Sequence, residues 1–392
     1  MRQLPKTAPR TVFRPSKPAV DFDQIESEAP QFTLATTKND TSVTLDLLRA
    51  VAAQMVCVGH GISLFISTLR GGTFPLPQNV GVLIFFVLSG FVITHTLLER
   101  SKDPNYGFGQ FFIDRFARIY SGLIPCLIFV AGLDYLTVHL VGPGTIFNSR
   151  SPSIFLANIL MMESYHGFFD FIYNLEWPIF GSAQPLWTLA VEWHIYIFVG
   201  ALFFICVRPS SALILLPIAV MCSTVPAHYL FGALQPDGVG LCLFLFWLGG
   251  AYTYAAACKF RRLPPLVGFA LAGISALIYL FYVKAFQEYR PETCPLLLIF
   301  IFGIATATQA SKVIKSPALI RAIRFFAGYS FSLYLIHHTI MYSAFLLWPD
   351  GGWIVFLPMV ILANVIAALL AIPTEMKHKR LAELLTRTFK AH

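Results

Sequence analysis

Long apolar runs, separated by short polar stretches, make up the chain from about residue 43 onward. Each run is long enough for an α-helix to cross the roughly 30 Å of hydrocarbon in a bilayer. The runs of spanning length are 43–66, 80–98, 119–141, 185–207, 210–231, 237–257, 264–284, 293–310, 325–348 and 352–372. A further run, 154–162, is too short to span and is predicted to lie in the interface. The pattern predicts an all-α, polytopic integral membrane protein with about ten transmembrane helices.

The composition supports a membrane protein and argues against several other classes. The chain of 392 residues is 56% hydrophobic and 12% charged, whereas soluble domains carry about 25% charged residues. The net charge of +8 comes from basic residues that lie between the apolar runs rather than in one patch, so no nucleic-acid partner is predicted. The 7 cysteines form no Cys-x-x-Cys motif, so neither a disulfide framework nor a metal site is predicted.

The distribution of Lys and Arg predicts the orientation of the chain in the membrane. With ten crossings and the N-terminus inside, most of the 28 basic residues are cytoplasmic, as the positive-inside rule requires. The few that then lie outside are Arg70, Arg150, Lys284 and Arg290. We therefore expect both termini in the cytoplasm of a multi-pass protein of the cell (inner) membrane.

Three regions follow from this orientation. Residues 1–42 are polar and lack the apolar core of a secretory signal peptide, so they are predicted to form a disordered cytoplasmic tail. Residues 43–376 are predicted to form the transmembrane domain. Residues 377–392 are predicted to form a basic cytoplasmic C-terminal segment.

Arg49 and His60 lie inside the first apolar run, in a stretch from Leu47 to Leu69 that contains no other charged residue. A charged group at the centre of a membrane helix costs about 2.5–3.5 kcal/mol on insertion scales, so ionisable groups retained there indicate a function. The spacing of the two residues is close to three helical turns, which places both side chains on one face, about 16 Å apart. The first run therefore presents a cation toward the inner surface and an imidazole toward the outer surface.

Glu192 and His337 are expected at a depth similar to that of His60, when depth is counted at about 1.5 Å per residue from the helix ends. A carboxylate beside a neutral histidine orients the ring and stabilises the imidazolium, so that the histidine acts as general base on a hydroxyl. The alternative is a buried polar cluster that only joins helices.

Arg115 and Arg118 lie one helical turn apart in the internal segment before the third apolar run. Two guanidinium groups at this spacing can bind phosphate oxygens from the cytoplasm, and Arg49 would extend the anion path inward. The alternative is anchoring by the positive-inside rule, with a salt bridge to Asp114 or Glu99.

Ser89 and Gly90 lie in the middle of the second apolar run. Small residues at this depth are typical of tight helix packing, and they also leave room for a thin ligand. On the outer side, the segment 142–184 is predicted either to select an acceptor or to form a lid on the bilayer. Its acidic residues are Glu163, Asp170 and Glu176. The tryptophans near the outer surface form either an aromatic belt or a stacking platform for a sugar. They are Trp177, Trp187, Trp348 and Trp353.

Taken in order, these motifs resemble those of the membrane-bound acyltransferase 3 family of O-acyltransferases, from about residue 43 to 380. The matching positions are Arg49 and His60 of an Arg-x10-His motif, the Gly81–Thr94 block, Arg115 and Arg118 of an Arg-x-x-Arg motif, the Leu186–Tyr196 block, the Ser330–His338 stretch, and Glu375 after the last run. The chain departs from the family pattern at Leu83, Ser121, Trp193, His194 and Met376.

The resemblance implies an O-acetyltransferase that moves an acyl group, usually acetyl from cytoplasmic acetyl-CoA, to a hydroxyl of an extracytoplasmic glycan or lipid-linked acceptor. It also implies that His60 is essential, as general base or as transient acyl carrier. The candidate catalytic residues are then His60 and Glu192, with Arg49, Arg115 and Arg118 as candidates for the acyl-CoA donor. Ser89, Tyr196, Ser330, His337 and Glu375 are predicted to lie in the substrate site or channel. No metal is predicted, and the oligomeric state is left open.

Two alternatives come from other functional classes. A proton-coupled membrane transporter would also use Arg49, His60 and Glu192 inside the bilayer, but it would move its solute without consuming acetyl-CoA. A non-catalytic membrane scaffold would tolerate the replacement of His60 by alanine.

Overall fold

The structure is a computed structural model that describes residues 34, 40–66, 73–142, 144, 146, 150–163, 177–231, 238–309 and 312–390. The α-helices, numbered in chain order, are α1 (Thr41–Phe65), α2 (Pro77–Arg100), α3 (Phe108–Val141), α4 (Pro152–Ile159), α5 (Leu186–Val207), α6 (Ala212–Phe231), α7 (Leu243–Lys259), α8 (Pro265–Tyr282), α9 (Cys294–Gln309), α10 (Pro317–Gly328), α11 (Ser330–Leu347), α12 (Gly352–Ala371) and α13 (His378–Lys390). Within the described residues, β-structure is limited to an isolated bridge between Glu163 and Trp177. The all-α prediction is confirmed.

Local sequence explains where several helices begin and end. Proline occupies the first turn of four of them, where its missing N–H removes no helical hydrogen bond and its fixed φ suits the helix. These prolines are Pro77, Pro152, Pro265 and Pro317. Helix α3 ends at Gly142, whose φ of 121° is accessible to glycine at little cost.

The helices account for the predicted membrane crossings, although their number is not fixed. Helices α1, α2, α3, α5, α6, α8, α9 and α12, taken with adjoining 3₁₀ turns, are long and apolar enough to span a bilayer. Helices α10 and α11 meet at 54° and count as one more if they form a broken span. Helix α7 lies in the remaining predicted run but has only 17 helical residues. The polytopic architecture is thus confirmed, and ten crossings stay a prediction.

The third apolar run belongs to a longer helix than the sequence predicted. Helix α3 begins at Phe108 rather than near residue 119, so Arg115 and Arg118 lie on a helix and the preceding loop is only 101–107. Hydropathy marks where a segment leaves hydrocarbon, whereas the backbone hydrogen bonds continue as far as the sequence permits. The short run 154–162 corresponds to the eight-residue helix α4, which cannot span a bilayer.

The two ends of the chain differ in how much is described. Of the tail predicted over residues 1–42, residues 1–33 and 35–39 lie outside the described part, and α1 already begins at Thr41. The C-terminal segment forms α13, which packs along the beginning of α3. There the side-chain amide of Gln110 donates a hydrogen bond of 3.0 Å to the hydroxyl of Thr386.

Helices α2 and α7 approach each other through a pair of glycines. A Cβ atom on Gly90 would lie 1.9 Å from the carbonyl oxygen of Trp247, and one on Gly250 would lie 2.0 Å from that of Val87. Tight helix packing, one of the two interpretations of the Ser89–Gly90 pair, is therefore correct for Gly90. This contact fixes the position of α2, which lines all three of the cavities described below.

Replacing Gly90 by alanine is expected to lower the free energy of unfolding by about 3 kcal/mol, because a backbone carbonyl cannot move aside as a flexible side chain can. Thermal unfolding of the detergent-solubilised protein measures the loss. The matched control is Gly132→Ala on α3, where a Cβ would meet nothing within 4 Å and a small gain is expected. Equal melting temperatures for the two variants would contradict the close contact.

Candidate functional site

Three cavities follow one another through the helix bundle and share wall residues. The basic cavity, of about 1040 Å³, lies between the beginnings of α1 and α3 and the C-terminal helix α13. The middle cavity, of about 130 Å³, lies between α1, α2, α3, α5 and α11. The histidine cavity, of about 470 Å³, contains His60. The basic and middle cavities share Arg49, Val92, Arg115 and Arg118. The middle and histidine cavities share Val82, Thr188 and Tyr334.

Basic side chains dominate the wall of the basic cavity. They are Arg49, Arg100, Arg115, Arg118, Arg324, Lys379 and Arg387, accompanied by the carboxylates of Asp46, Asp114 and Glu383. The excess of positive charge attracts an anionic ligand, and guanidinium groups bind phosphate oxygens through paired N–H donors. Only Arg49, Arg115 and Arg118 were predicted from the sequence. The other basic residues were assigned to membrane orientation, since nothing local shows that distant segments meet here.

Arg118 is held in place by Glu375. Its Nη2 lies 3.3 Å from Oε1 of Glu375, and the other carboxylate oxygen accepts hydrogen bonds from the backbone N–H (3.0 Å) and the hydroxyl (2.8 Å) of Ser332. Glu375 is fully buried and is absent from the walls of all three cavities. The structure therefore corrects its predicted position in the substrate site or channel. Glu375 lies behind Arg118 and orients it.

Arg115 has no anionic partner within 4 Å among the described residues. Its Nε is buried without a hydrogen-bond partner. The acids near it in sequence are paired elsewhere, Asp114 with Arg100 and Glu99 with Lys102. The salt bridges proposed as the alternative role for Arg115 and Arg118 are therefore contradicted, and Arg115 presents an uncompensated charge to the basic and middle cavities.

Helix α1 carries Arg49 and His60 to different cavities. Arg49 lies where the basic and middle cavities join, and its Nη1 is 3.2 Å from Oδ1 of Asp46. His60 lines the histidine cavity. Both residues thus line cavities inside the bundle, and that they serve one common path stays a prediction.

A chain of hydrogen bonds lines the middle cavity. The indole N–H of Trp247 donates to the hydroxyl of Ser89 (3.0 Å), which lies 2.9 Å from the hydroxyl of Tyr196. Tyr196 in turn donates to the carboxylate of Glu192. Ser330 lines the same cavity and donates to the carbonyl of Ala327 (2.8 Å). The structure thus brings together Ser89, Tyr196 and Ser330, which were predicted from separate motifs.

Glu192 does not occupy the place that the sequence predicted for it. It lines the middle cavity together with Arg49 and Arg118, whereas His60 lies in the next cavity, among other histidines. A similar predicted depth in the membrane therefore does not make the side chains of Glu192 and His60 neighbours. In this arrangement Glu192 orients Tyr196 and lies among arginines, and it does not orient His60.

Thr188 and Tyr334 form the wall between the middle and histidine cavities. The hydroxyl of Thr188 donates to the carbonyl of Pro185 (2.9 Å) and is also hydrogen-bonded to the hydroxyl of Tyr334. Because a hydroxyl donates once, Tyr334 is the donor in the second bond. The ring of Tyr334 packs edge-on against Phe85, with centroids 5.6 Å apart. This hydrogen-bonded pair, together with Val82, lies where the middle and histidine cavities meet.

The histidine cavity is built around three imidazoles. The ring centroid of His60 lies 5.3 Å from that of His337 and 5.4 Å from that of His338. His60 is partly exposed to the cavity, and His337 is fully buried. The sequence predicted a similar depth for His60 and His337; the structure makes the two rings neighbours, although His337 does not line the cavity. His338, which was not among the predicted site residues, joins them. Among the described residues, no group of three His, Cys, Asp or Glu is arranged to hold a metal ion.

Backbone carbonyls fix the tautomers of two of these rings. Nδ1 of His337 lies 3.0 Å from the carbonyl of Leu333, and Nδ1 of His338 lies 2.8 Å from the carbonyl of Ser182. Because a carbonyl only accepts, both Nδ1 atoms carry hydrogen, and in the neutral rings both Nε2 atoms have a lone pair. Nε2 of His337 is buried without a partner. The cluster therefore contains unused proton-accepting capacity beside His60.

A buried carboxylate supports His338 from behind. Asp134 accepts hydrogen bonds from the backbone N–H (2.8 Å) and the hydroxyl (2.6 Å) of Ser182, whose carbonyl binds His338. Asp134 is fully buried. The sequence carried a signal for it, since Asp134 is an ionisable residue inside the third apolar run, as Arg49 is inside the first. The link through Ser182 joins segments that are far apart in sequence and was not predictable from spacing.

The tryptophans that were predicted near the outer surface differ in their surroundings, and a role in stacking on a sugar stays a prediction. Trp187 lines the histidine cavity and stacks on Tyr229 at 26°, with centroids 6.0 Å apart, so it belongs to the site. Trp348 and Trp353 are 55% and 53% exposed, as aromatic-belt residues are. Trp193, one of the departures from the family pattern, packs against Phe112 and other rings of α3.

Two buried carboxyl groups lie in loops, Glu163 after α4 and Glu288 between α8 and α9. Burial raises the pKa of Glu163 well above its ordinary value. Burial also raises the pKa of Glu288, while hydrogen bonds from the backbone N–H of Leu76 (2.5 Å) and the amide of Asn79 (3.2 Å) oppose that increase. Neither carboxyl lines the histidine cavity. The other two acidic residues of the predicted acceptor segment, Asp170 and Glu176, lie outside the described residues.

Comparison with known proteins gives one family match. The family model described as an acyltransferase domain, acyltransferase 3, matches residues 43–372. This range includes α1 to α12 apart from the first two residues of α1, and it contains every residue named above from the middle and histidine cavities. No solved structure matches the chain.

Several curated proteins are similar over about three quarters of this chain. A peptidoglycan O-acetyltransferase of Listeria monocytogenes is 27% identical over 321 residues, covering 76% of this chain and 49% of its own length. A putative peptidoglycan O-acetyltransferase of Bacillus subtilis is 25% identical over 336 residues, covering 76% and 48%. A putative O-acetyltransferase of Staphylococcus aureus is 22% identical over 346 residues, covering 78% and 52%. The chain thus spans about half the length of the curated relatives it matches.

Proposed function

Because this chain belongs to the acyltransferase 3 family, we propose that it transfers an acetyl group from cytoplasmic acetyl-CoA to a hydroxyl of an extracytoplasmic glycan or lipid-linked acceptor. The names of two relatives favour a cell-wall saccharide among these acceptors. The observation that carries the proposal is the series of three cavities, which leads from an arginine-rich opening to a cluster of histidines.

The basic cavity suits the phosphates of coenzyme A. Arg115 has no counter-ion among the described residues, and Arg118 is oriented by Glu375, so both guanidinium groups are ready to bind phosphate oxygens. Arg49 then leads the ligand into the middle cavity. The middle cavity is narrow and bordered by Phe85, Phe86 and other apolar side chains, which suits a thin pantetheine arm and excludes bulkier groups.

The histidine cavity supplies the base. A ring nitrogen of neutral His60 accepts the proton of the acceptor hydroxyl as the oxygen attacks the thioester carbon. The new C–O bond forms, the C–S bond breaks, and the imidazolium returns the proton to the departing thiolate. His337 and His338 lie beside His60 with fixed tautomers, and they share the positive charge that develops on it. In this proposal His60 acts as general base rather than as acyl carrier.

The orientation of the chain follows from the donor. Acetyl-CoA is cytoplasmic, so the basic cavity opens to the cytoplasm and the histidine cavity opens toward the outside of the cell (inner) membrane. Residues near both ends of the described chain, Asp46 of α1 and Arg387 of α13, line the basic cavity, so both termini are cytoplasmic in this proposal. Only the acetyl group needs to pass the level of Tyr334.

The test of this function is consumption of the donor. The full chain, purified and reconstituted in lipid vesicles, is supplied with radiolabelled acetyl-CoA and a cell-wall saccharide fraction. Label is expected in the saccharide, with one free CoA thiol released for each acetyl transferred. A proton-coupled transporter would release no CoA, and that result would reject the proposal.

Replacing Tyr334 by phenylalanine is expected to raise acceptor-independent hydrolysis of acetyl-CoA about fivefold, because loss of one hydrogen bond worth about 1 kcal/mol opens the wall between the cavities to water. Thr188 keeps its bond to Pro185, so the fold should persist. Release of CoA with and without acceptor gives the measurement. The control is Thr188→Ser, which retains the hydroxyl. An unchanged ratio of hydrolysis to transfer in Tyr334→Phe would show that this pair is not the barrier.

A further inference from the structure

We propose that Gln78 binds the acceptor in the histidine cavity, and that the part of the acceptor that enters this cavity is uncharged and carries neighbouring hydroxyl groups. The inference rests on the proposed function, and it adds a binding residue and the charge state of the acceptor, which neither the family match nor the motifs supply.

Gln78 has an unused hydrogen-bonding group. Its side chain lines the histidine cavity, although the residue is only 8% exposed. Its Nε2 donates to the hydroxyl of Ser63 (3.2 Å), whereas its Oε1 is buried without a partner among the described residues. An unsatisfied buried acceptor costs about 1–3 kcal/mol. A ligand hydroxyl that donated to this oxygen would recover that free energy.

The free oxygen lies beside the proposed base. A Cβ atom on Gly59 would come within 2.3 Å of Oε1 of Gln78, so this oxygen rests against the backbone of the residue that precedes His60. The glycine leaves the space that the amide occupies. Gln78 and His60 line the same cavity, so one ligand can donate a hydroxyl to Gln78 and present a neighbouring hydroxyl to the imidazole.

The side-chain amide of the next residue, Asn79, has a structural role instead. Asn79 also lines the cavity, but its Nδ2 donates to Oε2 of Glu288 (3.2 Å). The other oxygen of Glu288 accepts from the backbone N–H of Leu76 (2.5 Å). Glu288 thus anchors the first turn of α2, which keeps Gln78 in place. The carboxylate is satisfied within the protein and is directed away from a ligand.

The described part of the histidine cavity's wall is polar without being ionic. None of the described residues that line it is Lys, Arg, Asp or Glu; its polar groups are amides, hydroxyls and imidazoles. A charged substituent buried there would lack a counter-ion, which is costly in a site with little water. The basic cavity differs in this respect. Its basic side chains attract an anionic ligand, whereas the histidine cavity suits an uncharged one.

Three probes with the same hydroxyl groups separate charge from shape. They are the methyl β-glycosides of N-acetylglucosamine (uncharged), N-sulfoglucosamine (anionic) and glucosamine at mildly acidic pH (cationic). The reconstituted full chain is assayed with radiolabelled acetyl-CoA for transfer to each probe and for hydrolysis. We expect kcat/KM for the uncharged probe to exceed that of both charged probes at least about tenfold, which corresponds to about 1.4 kcal/mol.

Variants of Gln78 then test the residue itself. Gln78→Met keeps the length of the side chain and is expected to raise KM for the uncharged probe about tenfold while lowering kcat less, as loss of one hydrogen bond predicts. Gln78→Glu is expected to shift preference toward the cationic probe. The matched amide control is Asn105→Ala, in the exposed loop between α2 and α3, which should behave as the unmodified chain does.

The outcomes separate this inference from the proposed function. Equal or better transfer to a charged probe, or an unchanged KM in Gln78→Met, overturns the inference and leaves the acyltransferase function intact. Hydrolysis of acetyl-CoA without transfer to the uncharged probe also overturns it. If acetyl-CoA is neither hydrolysed nor transferred, the proposed function fails, and the inference fails with it.

Discussion

Replacing His60 by alanine is expected to reduce acetyl transfer by about 10³-fold or more, because general base catalysis contributes about 10²–10⁴-fold. The removed ring lines the cavity and contacts both of the other histidines. Transfer of label from acetyl-CoA to the saccharide gives the measurement. Binding of acetyl-CoA should persist, since His60 lies in a different cavity from Arg115 and Arg118.

A second histidine variant controls for loss of an imidazole from the membrane domain. His95 lies on α2, where its Nδ1 is 3.2 Å from the hydroxyl of Tyr254, and it lines none of the three cavities. His95→Ala should keep most of the activity. Near-normal transfer by a well-folded His60→Ala protein would reject His60 as the base and would favour the scaffold alternative.

Removing both Arg115 and Arg118 is expected to raise KM for acetyl-CoA about 10²-fold or more, because hydrogen bonds between charged groups are worth about 1.5–3 kcal/mol each. The effect on kcat at saturating donor should be smaller, since these residues lie away from the histidine cavity. Initial rates over a range of acetyl-CoA concentrations measure the change. In the unmodified chain the same KM should rise with ionic strength, as screening weakens the attraction.

The design of this variant has to allow for Glu375. Removing Arg118 alone leaves a fully buried carboxylate without its cation, which is strongly destabilising, so the substitution Glu375→Gln should accompany Arg118→Ala. The control is the pair Arg261→Ala and Arg262→Ala, which removes two guanidinium groups from residues that line none of the cavities. An unaltered donor KM in the Arg115 and Arg118 variant, or an equal rise in the control, would count against phosphate binding.

The sequence predicted well those features that depend on one segment at a time. Apolar length fixes which segments can span a membrane, because the bilayer sets one thickness for all of them. Helical periodicity placed Arg49 and His60 on one side of α1, and the structure finds both on the walls of connected cavities. Ionisable groups inside apolar runs marked the site because hydrocarbon penalises them unless they have a partner or a function.

The sequence failed where two segments had to be placed against each other. Glu192 was assigned to His60 from depth alone, whereas it lies with Arg49 in another cavity. His338 belongs to the site, where its ring is hydrogen-bonded to the carbonyl of Ser182. Arg324 lines the basic cavity and lies on α10, which is bent relative to α11. The position of each of these side chains depends on how its helix is rotated and on which helices lie next to it. The length of an apolar run determines neither.

What the sequence by itself determined is therefore the class of protein, the family and the two chemical groups that matter most, a cluster of cations and a buried imidazole. What only the tertiary structure decided is which side chains meet: Gln78 beside Gly59, Glu375 behind Arg118, and Tyr334 against Thr188. The physical reason is that position along a helix follows from a constant rise per residue. The rotation and partners of a helix depend instead on close contacts between distant segments, such as that of Gly90 with the backbone of α7.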